Sequence, residues 1–227
     1  MRNKLTAEFI GTFILVFAGS GAVMINDITG ALGHTGVAMT FGFVIVALIY
    51  SFAHVSGAHF NPAVTIAFYS MGEFNRKRVL PYISAQILGG IAASITLFYL
   101  LQEDFNQLSE VSYLGATLPY GSVAQSFGFE FLLAFILMLV ISASAVHGKA
   151  IKGFTGIAIG FTVGLEAMFA GPITGASMNP ARSSGPAVVS GHYEHLWLYI
   201  VATILGALLA ALVFVKLIHS DGRKGVE

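Results

Sequence analysis

The stretches SGAHFNPAV (residues 56–64) and TGASMNPAR (residues 174–182) decide how this chain is read. In each, a run of small residues leads into Asn-Pro, and a short apolar run of about ten residues follows, 62–71 and 180–189. Proline fits the first position of a helix, where its missing N–H costs nothing. The residue before it is pushed out of helical geometry, and asparagine is a favoured N-cap. Asn61-Pro62 and Asn179-Pro180 therefore each read as a helix start, and SGAH and TGAS read as extended backbone leading into it. A ten-residue helix is about 15 Å long at 1.5 Å per residue, half of a bilayer core of about 30 Å. Two such pieces end to end would fill one crossing.

The rest of the chain supplies the membrane. Of 227 residues, 56% are hydrophobic and only 10% charged, against about 25% charged in a soluble domain. Net charge is zero, and no basic face suggests nucleic acid. The absence of cysteine excludes disulfides, thiolate metal sites and cysteine nucleophiles. Six stretches are long and apolar enough to span: 5–25, 34–54, 80–101, 124–146, 154–171 and 195–218. The start, MRNKLTAEFIGTFILVFAGSGA, has the layout of a signal peptide. Glu8 inside the apolar run and the run's length argue instead for a retained first span.

With six spans, ten of the eleven cationic residues fall on one side: Arg2, Lys4, Arg76, Lys77, Arg78, Lys149, Lys152, Lys216, Arg223 and Lys224. The positive-inside rule makes that side cytoplasmic, with both termini. The connection LQEDFNQLSEVSYLGATLPYG, 101–121, has no Lys or Arg and reads as outside. Arg182 alone breaks the pattern.

The two halves resemble each other. AEFIGTFILVF around Glu8 matches FEFLLAFILMLV around Glu130, GVAMTFGFV matches GIAIGFTVG, and AQILGGIAAS matches ATILGALLAA. From Glu8 to Glu130 is 122 residues, from Gly36 to Gly156 120, from Ser56 to Thr174 118 and from Ala85 to Ala202 117. Order is kept and drift is small, as after a duplication. Three spans per half is an odd number, so the second copy enters from the opposite face. Such inverted repeats bring broken helices together at the midplane. The expected architecture is an all-α membrane protein with six transmembrane helices and two re-entrant half-helices. It forms a single domain over 1–227, with repeats 1–115 and 116–220 and a cytoplasmic tail 221–227.

Non-helical backbone at membrane depth is tolerated only where it is buried in protein or lines a water-filled cavity. Two half-helices meeting N-terminus to N-terminus each bring roughly +0.5 charge to the centre. Two asparagine amides then point into a positive midplane, which repels cations while leaving donors for a neutral solute.

The paired motifs resemble the Asn-Pro-Ala signatures of the aquaporin (major intrinsic protein) family, over nearly the whole chain. The resemblance implies a passive channel, one pore per subunit and a homotetramer in a cell membrane. Its central motifs fall on Asn61, Pro62, Ala63, Asn179, Pro180 and Ala181. It implies pore-lining carbonyls at Gly57, Ala58, His59 and Phe60 on one side, and at Gly175, Ala176, Ser177 and Met178 on the other. Its narrowest filter falls on Phe41, Ala167, Ala176 and Arg182, and its loop-supporting glutamates on Glu8 and Glu130. Arg182 would then sit in water near the outer face. Strict water channels of the family carry histidine where Ala167 stands, so the opening is expected to be wider. Ser183 and Ala187 are as in water channels, yet Tyr199-Ile200 lacks their second aromatic. The wording of the motifs most resembles the plant nodulin-like branch and its microbial relatives, which pass water, glycerol and uncharged species such as metalloid acids. Phe41 departs from the tryptophan common in part of that branch. Ammonia is a further candidate solute, and a strict water channel the narrower alternative.

Other residues carry blander readings. His59 is expected to present its carbonyl to the pore while its ring supports the loop. His147 reads as a solvated loop histidine, and Glu166 as a partner of loop backbone. Gly156, Gly160 and Gly164 recur every four residues, which suits close helix crossing. No zinc, phosphate-loop or triad spacing is present, so no metal, cofactor or enzyme chemistry is expected. The rival class is a secondary transporter, which shares inverted repeats and broken helices but needs a coupling site; the carboxylates here look committed to the loops.

Overall fold

The structure, a computed structural model, describes residues 1–101, 113–148 and 150–218. Residues 102–112 of the cation-free connection, Lys149, Arg223, Lys224 and the expected tail 221–227 lie outside the described residues. Six long helices are apolar enough to cross a membrane. They are α1 (Arg2–Thr29), α2 (Gly33–Ser56), α4 (Arg76–Leu100), α5 (Val123–Ile141), α6 (Thr155–Thr174) and α8 (Leu196–Val213). Two short helices, α3 (Pro62–Ser70) and α7 (Pro180–Ser190), begin at the two prolines. No strand occurs among the described residues.

Apolar side chains cover the outside: Leu80, Leu100, Phe161 and Leu165 are all more than half exposed. The polar groups are inside, where Glu8, Gln86, Glu130, Asn61 and Asn179 are buried. This inside-out arrangement suits a lipid environment, where polar groups need protein partners.

The halves pack in matched pairs. α1 lies along α4 as α5 lies along α8, and α2 crosses α6 between the halves. Each half-helix leans on a long helix of the other half, α3 on α8 and α7 on α4. Small residues set these approaches. A Cβ added at Gly89 would lie 2.4 Å from the Phe9 carbonyl oxygen, and one at Gly206 2.1 Å from that of Phe131. At the α2–α6 crossing a Cβ at Gly160 would lie 2.7 Å from the Gly42 oxygen, and one at Gly164 3.4 Å from Gly42 Cα. The four-residue glycine spacing is therefore a packing device. His147, read as solvated, is half-buried instead, its ring 6.5 Å from that of Phe214.

Candidate functional site

Both half-helices start as their sequence dictates. Asn61 is extended (φ −150°, ψ 120°), and its Oδ1 accepts from the Ala63 N–H at 2.9 Å. Asn179 is its counterpart (φ −150°, ψ 110°), with Oδ1 accepting from Ala181 N–H at 2.9 Å and Arg182 N–H at 3.3 Å. Each amide nitrogen then crosses to the other loop. Asn61 Nδ2 donates to the Met178 carbonyl and Asn179 Nδ2 to the Phe60 carbonyl, both at 2.8 Å. An asparagine amide has two hydrogens, so one donor on each remains for a solute.

The backbone before each asparagine differs from the extended form expected. Gly57, Ala58 and Phe60 have φ of 96°, 53° and 49°; Gly175, Ala176 and Met178 have 78°, 40° and 56°. Positive φ is uncommon outside glycine, and here a buried carboxylate enforces it. Glu8 Oε1 accepts from His59 N–H at 3.0 Å and Ser56 Oγ at 2.7 Å, and its Oε2 from Phe60 N–H and Gln86 Nε2, both at 2.7 Å. Glu130 Oε1 accepts from Ser177 N–H at 2.8 Å and Thr174 Oγ1 at 2.6 Å, and its Oε2 from Met178 N–H at 2.9 Å. In a trans peptide the N–H opposes the preceding C=O. Turning the N–H groups of 59, 60, 177 and 178 toward the carboxylates therefore turns the carbonyls of Ala58, His59, Ala176 and Ser177 the other way. The last carbonyl of each set, Phe60 and Met178, is the one tied to an asparagine.

Sequence reasoning missed the outer layer of this support. Tyr82 Oη donates to the Ser56 carbonyl at 2.9 Å and Tyr199 Oη to that of Thr174 at 2.8 Å. These tyrosines are 117 residues apart, the offset of the matched stretches around them, so the repeat itself carried the signal. The His59 ring is part of the same layer. Its Nδ1 lies 3.0 Å from Thr65 Oγ1, and it stacks on Phe68 at 4.8 Å between ring centroids. At the matching place in the second half, Ser177 Oγ meets Ser183 Oγ at 2.6 Å, and Ser183 in turn meets Thr117 Oγ1 at 2.7 Å.

Arg182 is buried and forms no ion pair among the described residues. Its Nη1 donates to the Gly115 carbonyl at 2.7 Å, and its guanidinium carbon lies 5.1 Å from the centre of the Phe41 ring. Gly115 has φ +70°, and a Cβ there would lie 3.0 Å from Ser20, so the loop reaches the arginine only as glycine. Glu166 departs from expectation. It is buried, and neither carboxylate oxygen has a hydrogen-bond partner among the described residues. The loop N–H groups it was expected to meet are taken by Glu130.

Two cavities lie on either side of this region. The inner one, ≈ 130 Å³, is lined by Asn61, Asn179, Gly57, Ala58, His59, Phe60, Ala176, Ser177 and Met178 among others. The outer one, ≈ 590 Å³, includes Ala167, Gly175 and Gly115. Phe41 and Arg182 line both. Phe41 and Arg182 thus separate the two cavities, with Ala167 on the outer one and Ala176 on the inner one.

Comparison with known proteins gives concordant results. Residues 1–214 match the family model described as Major intrinsic protein. Aquaporin NIP1-2 of Oryza sativa subsp. japonica is 43% identical over 96% of this chain and 72% of its own length. Nodulin-26 of Glycine max is 44% identical over 96% of this chain and 79% of its own length. The X-ray structure of the aquaglyceroporin from Plasmodium falciparum superposes with a TM-score of 0.88 at 26% identity, covering 96% of this chain and 97% of that one.

Proposed function

The chain belongs to the major intrinsic protein family, the aquaporins, and on that premise we propose how its pore selects. It is a membrane channel for water and small uncharged solutes, not an enzyme. Selection takes place at two levels. At the centre, Asn61 and Asn179 each keep one amide hydrogen for the solute, with the N-termini of α3 and α7 behind them. At the outer level, Phe41, Ala167, Ala176 and Arg182 form the filter. In aquaporin-type pores generally, selectivity rests on diameter, lining donors and acceptors, and the positive ends of half-helices that exclude protons and cations.

The observation that carries this reading is that Phe41 and Arg182 line both cavities. Any solute passing between them goes by a fixed positive donor with an aromatic face beside it. Pro62, Ala63, Pro180 and Ala181 start the half-helices, and the turned carbonyls of Ala58, His59, Ala176 and Ser177 supply acceptors. Glu8 and Glu130 hold that backbone and take no part in transport. With alanine at 167 the filter is wide enough for glycerol and neutral metalloid acids.

The wider assignments rest on the same premise. The chain is one channel domain with repeats 1–115 and 116–220. It assembles as a homotetramer in a cell membrane, both termini cytoplasmic, the side on which Arg2, Lys4, Arg76, Lys77, Arg78 and Lys216 cluster. A solute panel in proteoliposomes tests the filter: water, glycerol, urea, ammonia and arsenite. Flux of water, glycerol and arsenite is expected, and flux of water alone would mean a strict water filter.

A further inference from the structure

We propose that His34 is a fifth specificity-determining residue, supplying from α2 the polar group that Ala167 does not. This rests on the channel reading above and adds a residue to its outer filter.

The geometry begins with a notch. His34 lies in the first turn of α2, and its Nε2 is 2.6 Å from the carbonyl oxygen of Met168, the residue after Ala167 on α6. A Cβ at Gly171 would lie 2.8 Å from His34 Cε1, so the ring occupies space that glycine leaves open. His34 lines the outer cavity together with Phe41, Ala167, Gly171 and Arg182. The imidazole therefore stands in the approach to the filter, against α6 beside Gly171, one helical turn beyond Ala167.

The Met168 carbonyl also fixes the chemistry. A carbonyl only accepts, so Nε2 must carry the hydrogen, and in the neutral ring Nδ1 is then an acceptor. Nδ1 has no hydrogen-bond partner among the described residues. His34 and Arg182 both line the outer cavity, so the ring can offer an acceptor there beside the guanidinium donors. A hydroxylated solute needs both when it sheds water, because each hydroxyl donates and accepts. Water depends on this less, since neighbouring waters replace the lost contact, whereas glycerol has several hydroxyls to satisfy as it enters the filter from this cavity.

The test is the split between two permeabilities in proteoliposomes. His34→Leu keeps bulk but removes both polar contacts. His34→Gln can give its amide hydrogen to Met168 and keep an acceptor. Glycerol permeability should fall roughly three- to tenfold in His34→Leu, the worth of one hydrogen bond to the permeating solute. Water permeability should change much less, and His34→Gln should retain glycerol flux. His34→Asn, too short for both contacts, should also lose glycerol flux and serves if the leucine variant does not fold. Unchanged glycerol flux, parallel loss of water and glycerol, or failure of His34→Gln to retain flux would each overturn the assignment. Wild-type vesicles that passed neither solute would instead contradict the channel reading itself.

Discussion

Asn61 and Asn179 hold each other's loops: each gives one amide hydrogen to the carbonyl that immediately precedes the other, at 2.8 Å. The same two side chains cap the two half-helices through Oδ1. A single residue type thus sets the helix starts, ties the halves together and leaves one donor per side. Losing the cap alone costs about 0.5–2 kcal/mol. Asn61→Ala should therefore lower the unfolding temperature in detergent and reduce water flux together. Asn179→Asp keeps the capping oxygen but replaces the donor with negative charge. It also sets a carboxylate oxygen against the Phe60 carbonyl, so it should lower the unfolding temperature and leak cations, measured as conductance across a planar bilayer.

The glutamates give a second prediction. Each oxygen of Glu8 and of Glu130 accepts from a backbone N–H, so a glutamine at either position sets its amide donor against one of them. A buried unsatisfied donor costs about 1–3 kcal/mol. Glu8→Gln and Glu130→Gln should each reduce thermal stability by that order, and a double variant by more. A variant that stays stable yet alters flux only under a proton gradient would point to coupling instead.

These expectations show what the chain makes legible. The half-helices follow from local chemistry, since a capping asparagine directly before a proline favours a helix start. The spans follow from apolar length, and the matched positions of Glu8 and Glu130 from the repeat, while their loop-supporting role is what the family resemblance implies. What stayed hidden depends on distant meetings. His34 finds the Met168 carbonyl 134 residues away, and Gly115 reaches Arg182 across 67. The expected extended loops became left-handed because Glu8 and Glu130 pull the N–H groups inward, which composition does not reveal. Glu166 does not meet the loop backbone expected of it, because the loop's donors are taken by Glu130.

The filter supplies a third prediction. Ala167 lines the outer cavity beside Phe41 and Arg182. Ala167→His adds a ring there and should reduce glycerol permeability more than water permeability in stopped-flow measurements. Equal losses would defeat the wide-filter account. Arg182→Val removes the fixed charge, and should raise glycerol flux and admit a measurable proton leak.

Packing supplies the fourth. A Cβ at Gly185 would lie 2.5 Å from the Gly90 carbonyl oxygen, where α7 leans on α4. Overpacking of this kind costs about 1–3 kcal/mol and sometimes more. Gly185→Ala should lower the unfolding temperature and the folded yield on size-exclusion chromatography. Gly128→Ala, inside α5 with open space around its position, should be neutral to slightly stabilising.

The central claim is that solutes pass a standing pore rather than a moving carrier. Stopped-flow light scattering on proteoliposomes, at several temperatures and with or without ion gradients, tests it most directly. The account predicts water flux with the low activation energy of an aqueous path, linear in the osmotic gradient and indifferent to ions. Saturable flux that requires an ion gradient would contradict it.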